Sequence, residues 1–339
     1  MLQTPVGEVP QLHTAQRLAD YLGACQMRLG IGRMRYRVPP GLYAMGCPTA
    51  ESPVLVTANY KLTLDHLRSK LDATDAWILV LDTKGVNVWC AAGKGTFGTD
   101  EIVRQVTATR LAEVVSHRQL VVPQLGAPGV AAHQVKNRCG FRVIYGPVLA
   151  RDIPAFLAAD MQATPAMRKV DFPLGLRLAV APIEVTRYAK YFVPAAVALL
   201  FLAGLGPDGY AWSRAAAAGV VSAVLLLSTW LASSVLAPAL LPWLPGRPLS
   251  LKGLWLGLGL LCTQAGAVWG LLGKFDAWLG MIAWCLLVPA VSSFIAMIYT
   301  GSTTYTSLSG VRHEMRRAVP AQIVAVVAGL SAWIAGRFI

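Results

Sequence analysis

The chain has 339 residues, of which 55% are hydrophobic and only 14% charged, against roughly 25% charged in ordinary globular domains. Its formal net charge is +13, but the basic residues form no aromatic-interleaved patch and many flank apolar spans, which argues against nucleic-acid binding and for membrane topology. Six cysteines, at 25, 47, 90, 139, 262 and 285, include no CxxC pair, so the spacing fits neither a zinc site nor an iron–sulfur cluster and reads as reduced thiols in a cytoplasmic domain.

Met1 to Arg17 is polar, with Pro5 and Pro10, and lacks the apolar core of a signal peptide. The expectation is an N-terminal domain that stays in the cytoplasm. Residues 11–34 carry a helix-like pattern (Leu12, Ala15, Leu18, Ala19, Leu22), and Arg28, Arg33, Arg35 and Arg37 then read as a solvated face beside the Pro39-Pro40-Gly41 turn. An alternation follows. Strands are expected at Val54–Thr57, Ala76–Asp82, Leu120–Val122 and Arg142–Tyr145, and helices at Leu62–Leu71, Asp100–Val115 and Ile153–Ala159. This order implies an α/β, Rossmann-like domain with a mostly parallel sheet. Ligands bind such sheets beyond the carboxyl ends of the strands. Thr57-Ala58-Asn59, Asp82–Lys94 and Pro123–Gly129 are all expected at that rim.

The charge density falls near Lys190. The expected organisation is a cytoplasmic domain over 1–165, a basic linker over 166–190 and an all-α transmembrane domain over 191–339. Five apolar stretches, about 191–205, 215–241, 254–272, 278–299 and 318–338, are candidate spans. The first is short and interrupted by Pro194, the second carries Pro238, and Pro289 is placed to kink the fourth. Arg168, Lys169, Arg177, Arg187 and Lys190, then Arg247 and Lys252, then Arg312, Arg316 and Arg317 fall on one side of a five-span bundle. The other side has Arg214, Lys274 and Arg337. The positive-inside bias then predicts a multi-pass protein of the inner, cytoplasmic membrane with its C-terminus outside. Sparse intramembrane charge, with Asp276 at a span boundary, argues against an ion-coupled transporter.

The segment Asn87-Val88-Trp89-Cys90-Ala91-Ala92-Gly93-Lys94 stands between an apolar strand and a helical run. Taken alone, Cys90 reads as a small buried hydrophobe. Its neighbours favour a ligand: Trp89 is a large flat surface, Ala91, Ala92 and Gly93 leave room for a macrocycle, and Lys94 could pair with a propionamide or phosphate or simply face solvent.

This octapeptide closely resembles the cap helix of the mercury-methylating corrinoid protein family. Pro53–Thr63 resembles the opening strand of that family's domain, and of the related large subunit of the corrinoid iron–sulfur protein of acetyl-CoA synthesis. Thr300–Val311 also resembles a family signature, although a hydroxyl-rich loop of this kind is equally a flexible connection. The resemblance implies a cobalamin-type corrinoid bound base-off, with Cys90 as both catalytic residue and lower axial ligand of cobalt. It implies cofactor contacts from Thr57, Asn59, Asn87, Val88, Trp89, Ala91, Ala92, Gly93, Lys94, Gln124, Leu125, Gly126 and Gly129. The implied activity is a methyltransferase that passes methyl from the corrinoid to thiol-bound mercury(II), in an anaerobe. A thiolate is a strong, soft donor that suits methyl leaving with its electron pair. The implied partners are a small ferredoxin with two [4Fe–4S] clusters as electron donor and a methyl donor protein or methyl-folate system. Asp65-His66 are adjacent, so no Asp-x-His-x-x-Gly motif supplies a histidine ligand, and Cys25 and Cys47 cannot form the four-cysteine cluster domain of the iron–sulfur relative. Two other readings are a membrane-anchored methyl carrier of one-carbon metabolism without mercury specificity, and a corrinoid-sensing membrane protein.

Overall fold

The computed structural model describes residues 1–72, 74–272, 278–299 and 308–339, and side chains outside 267–272 and 308–309. The chain forms two units, Met1–Met27 with Ile31–Asp171, and Arg28–Gly30 with Phe172–Ile339.

In the first unit a hairpin of β1 (Leu2–Thr4) and β2 (Gly7–Val9) leads to β3 (Gln11–Leu12), helix α1 (Leu18–Arg28) and β4 (Gly41–Met45). Then come β5 (Val54–Ala58), α2 (Lys61–Arg68), β6 (Ala76–Leu81), α3 (Val88–Lys94), α4 (Thr99–Ala108), α5 (Leu111–Val114), β7 (Gln119–Val122), a 3₁₀ turn (Gln124–Gly129), α6 (Ala132–Cys139), β8 (Arg142–Tyr145) and α7 (Ile153–Ala158). The sheet order is β3-β4-β6-β5-β7-β8. β6, β5, β7 and β8 are mutually parallel, while β4 runs antiparallel to β6.

Every residue of β5 and β6 is buried, because both faces of the sheet are covered. Val54, Val56 and Ala58 pack with Ile102 and Val106 of α4 and Val135 of α6. Leu55, Ile78 and Val80 pack on the opposite face with Leu64 and Leu67 of α2 and Phe156 of α7. The mostly parallel α/β sheet is therefore present. The expected helix over Asp100–Val115 is two helices, because Arg110 takes a left-handed conformation (φ 49°) that ends one and starts the next. β4 and α6 were not legible: β4 has little alternation, and Val135 is the one buried residue of the polar α6.

The second unit is helical: α8 (Leu174–Leu178), α9 (Ala181–Leu202), α10 (Trp212–Arg214) continued through a π-turn into α11 (Val220–Leu240), α12 (Leu249–Leu272), α13 (Trp278–Ile298) and α14 (Leu308–Ala335). Four helical stretches among the described residues are long and apolar enough to cross a membrane: Leu174–Leu202, Trp212–Leu240, Trp278–Ile298 and Gly310–Ala335. The third expected span corresponds to α12, which runs into the stretch whose side chains are not described. Five qualifying spans were expected, and four qualify.

Two starts differ from expectation. α9 begins at Ala181, not 191, and α14 at Leu308, not 318. Both helices open with charged turns (Glu184, Arg187 and Lys190; Arg312, Arg316 and Arg317) that a hydropathy window rejects but a helix tolerates. Pro194 lies inside α9 without ending it, as membrane helices allow when neighbours satisfy the freed backbone groups. Residues 300–307 of the Thr300–Val311 segment, Lys274 and Asp276 lie outside the described residues.

Small and polar residues knit this unit. A Cβ on Gly257 would stand 2.5 Å from Pro289 Cα, so α12 and α13 approach closely. Ser233 and Ser292 share a hydrogen bond of 2.9 Å, and Gln322 Nε2 donates to Ser293 Oγ at 2.8 Å.

Candidate functional site

The chain leaves β5 through α2 to β6 on one side, then crosses back to β7 on the other. This is a doubly wound sheet whose order reverses between β5 and β7, and ligands of such folds sit outside the carboxyl ends of the strands at that point. Two pieces of chain meet there, α3 after β6 and the 3₁₀ turn after β7.

Glycines allow the contact. A Cβ on Gly129 would stand 2.2 Å from the Phe97 carbonyl oxygen and 3.2 Å from Ala92 Cα, and one on Gly126 would stand 2.4 Å from the Phe97 ring. Gly126 and Gly129 therefore serve the seat of α3. Leu125 packs against the sheet core. Gln124 Oε1 accepts from Arg168 Nη1 at 2.7 Å.

The loop entering α3 is pinned from β5. Asn59 is 1% exposed. Its Oδ1 accepts from Thr83 N at 3.1 Å and Gly85 N at 3.0 Å, and lies 2.9 Å from Thr83 Oγ1. Its Nδ2 donates to Asp82 Oδ1 at 3.1 Å. Thr83 Oγ1 also reaches Val86 O at 2.6 Å, and Glu101 Oε1 accepts from Asp82 N at 2.8 Å. Partial burial opposes charge on Asp82, but the side-chain bond from Lys84, followed by its backbone N–H, its charge and the Asn59 amide, holds the carboxyl below its ordinary range. Burial likewise opposes charge on Glu101, and the bonds from Arg104, Gln105 and the Asp82 N–H outweigh it. Thr57 is buried at the end of β5. Thr57 and Asn59 thus lie beneath the rim, and the amide of Asn59 is engaged with the loop.

Helix α3 has two faces. Asn87 caps it, its Oδ1 accepting from Cys90 N at 2.9 Å, and Gly95 closes it in a left-handed conformation (φ 78°). Val88, Ala91 and Ala92 are buried in the core cluster. Trp89, Gly93 and Lys94 are exposed and Cys90 is half-buried. These four make the outward face by helical spacing. Gly93 is the informative member. A Cβ there would meet no protein atom within 4 Å, and its φ is not positive. Neither packing nor backbone conformation asks for glycine in this last turn of α3, where it costs at most about 1 kcal/mol relative to alanine. An uncovered backbone one turn from Cys90 suits the close approach of a broad, flat ligand.

The expected site residues thus separate into an outward set (Trp89, Cys90, Gly93, Lys94) and a supporting set beneath it. Thr83 and Glu101 were missed. Both act through partners 24 and 19 residues away, which no local pattern reveals.

The fold is that of a doubly wound α/β domain followed by membrane-compatible helices. The family model for the CO dehydrogenase/acetyl-CoA synthase delta subunit matches residues 31–157. The acetyl-CoA decarbonylase/synthase complex subunit gamma of Methanopyrus kandleri is 34% identical over 125 residues, 36% of this chain and 27% of the relative. That of Archaeoglobus fulgidus is 32% identical over 127 residues, 37% of this chain and 27% of the relative. The corrinoid/iron–sulfur protein large subunit of Moorella thermoacetica is 30% identical over 127 residues, 37% of this chain and 28% of the relative. The chain spans about a quarter of the length of these relatives. They are named for acetyl-CoA and corrinoid/iron–sulfur chemistry, and none of the three for mercury.

Proposed function

We propose that the first unit is a corrinoid-binding methyl-transfer domain attached to membrane-spanning helices, with Cys90 Sγ as the lower ligand of cobalt. The observation that carries this reading is the outward face of α3, where Cys90 stands one turn from the uncovered backbone of Gly93. It lies at the switch point of a domain whose relatives include a corrinoid/iron–sulfur protein large subunit. A bound corrinoid would supply a cobalt–methyl bond as the source of the transferred group. In this reading Cys90 donates a soft thiolate, Gly93 lets the macrocycle rest on the helix, Trp89 covers its edge and Lys94 meets an amide or phosphate of its periphery. Asn87 holds the first turn of α3, and Asn59, Gly126 and Gly129 hold the helix in place.

The relatives favour methyl carriage in one-carbon metabolism of the acetyl-CoA decarbonylase/synthase type over mercury methylation. We therefore put the membrane-anchored methyl carrier first. The narrower reading, delivery of methyl to thiol-bound mercury(II), rests on the octapeptide around Cys90. Cys90 would hold the cobalt as a soft, electron-rich thiolate donor, which would suit delivery of methyl to an electrophilic acceptor. Both readings take methyl from a donor protein or methyl-folate system and electrons from a ferredoxin with two [4Fe–4S] clusters. Among the described residues no group of three His, Cys, Asp or Glu side chains is placed to hold a metal ion.

The test uses the purified full chain with corrinoid. Wild type is expected to show a thiolate-ligated optical spectrum, which Cys90→Ala abolishes and Cys90→His replaces. An unchanged Cys90→Ala spectrum overturns the ligand assignment. Methyl transfer to mercury(II) and to a thiol nucleophile is then measured on the same variants. Selective loss with mercury(II) supports the mercury reading, and equal loss supports the carrier.

A further inference from the structure

Helix α1 is amphipathic in the reverse sense to a soluble surface helix. Its inner side carries buried Gly23 and Met27. Its one acidic residue, Asp20, also points inward and pairs with Lys61 at 2.5 Å and Arg68 at 2.7 Å. The opposite side is apolar and bare: Leu18 (74% exposed), Tyr21, Leu22 and Leu29, with exposed Cys25 among them. Residues 18, 22 and 25 follow i, i+4 and i+7 spacing, one stripe along α1, and Leu29 follows in the turn just after the helix. Ile31 (59%) and Met34 (61%) extend the bare apolar surface past the helix end. From Tyr21 to Ala50 the chain has four arginines (28, 33, 35 and 37) and no acidic residue. The stripe thus ends in a stretch whose charged residues are all basic.

Arg28–Gly30 group with the second unit. The Leu29 carbonyl accepts from Thr186 Oγ1 at 2.6 Å, in the charged opening turns of α9. A Cβ on Gly30 would stand 3.3 Å from Ile183.

We propose that α1 and the turn to Arg37 lie in the plane of the bilayer surface as a second anchor, with the Leu18–Leu29 stripe among the acyl chains and the arginines on anionic headgroups. An apolar face of this size with a basic flank binds interfaces through buried area and charge together. The inference is independent of the corrinoid reading. It replaces the solvated face expected from the arginines alone.

The chain carries its own reporters, since Cys25 lies in the stripe and Cys47, also exposed, lies outside it. Full-length protein in nanodiscs of phosphatidylglycerol and phosphatidylcholine is treated with a charged, water-soluble maleimide, and each cysteine is followed by peptide mass spectrometry. Cys25 is expected to react about tenfold more slowly than Cys47. Leu18→Glu with Leu22→Glu should bring the two rates together while leaving the Cys47 rate unchanged. Replacing Arg28, Arg33 and Arg35 by Gln should weaken protection in the anionic nanodiscs. Equal rates for Cys25 and Cys47 in the wild type overturn the proposal, as does protection that survives the double glutamate variant. Protection equal in purely zwitterionic nanodiscs overturns the role given to the arginines.

Discussion

Replacing Gly93 by Ala separates a ligand-facing residue from a structural one, because fold and ligand make opposite demands at this position. A methyl group there meets no protein atom within 4 Å. Alanine in a helix interior is favoured over glycine by roughly 0.5–1 kcal/mol. The ligand-free protein should therefore gain stability. In the proposed reading, a flat ligand on the α3 backbone would have to retreat to clear the methyl, while Cys90 on the same face would hold it close to the helix. A tenfold loss of affinity, about 1.4 kcal/mol, is the expected scale. Thermal unfolding of the full chain in nanodiscs measures the first effect, and optical titration with corrinoid measures the second. The expected result is a higher Tm with weaker binding. A higher Tm with unchanged affinity would refute the assignment of this face. Gly129→Ala is the contrast: its Cβ would stand 2.2 Å from Phe97 O, so Tm and affinity should fall together, the overpacking costing about 1–3 kcal/mol.

Two further results are expected. Asn59→Ala strands the Thr83 and Gly85 N–H groups beneath the rim; at about 1–3 kcal/mol for each unmet buried group, it should destabilise the first unit and raise amide hydrogen exchange over residues 82–87, and unchanged exchange there would remove Asn59 as the pin of the loop. The Asp20 carboxyl is lowered from 3.8 to about 2, chiefly by its bond to Lys61; being depressed, it contributes stability in full above the unfolded value and loses it as pH falls through about 2, so Asp20→Asn should flatten the acid limb of the Tm–pH curve over that window, and an unaltered limb would mean the pair is not formed in solution.

Continuous apolar runs made β5 and β6 legible, because strands covered on both faces need apolar residues throughout, and shorter apolar runs marked β7 and the edge strand β8. Hydropathy located the long apolar helices but not their starts, since α9 and α14 open with charged turns that only the helical hydrogen-bond ladder joins to the apolar part. The junction around Cys90 could be read as a strand end followed by a helix. Which of its residues face outward could not, because that depends on the phase of α3 against the 3₁₀ turn. Ala91 and Ala92, small and expected to leave room for a ligand, instead leave room for protein. The same holds for α1, whose helical pattern is local while its buried side is not. Three contacts from distant chain decide that side: Tyr36 against Gly23, and Lys61 and Arg68 on Asp20. Propensity and apolar periodicity are properties of neighbouring residues and survive in a one-dimensional string. The direction a helix faces is set by side chains tens of residues away, and it exists only once the chain has closed on itself.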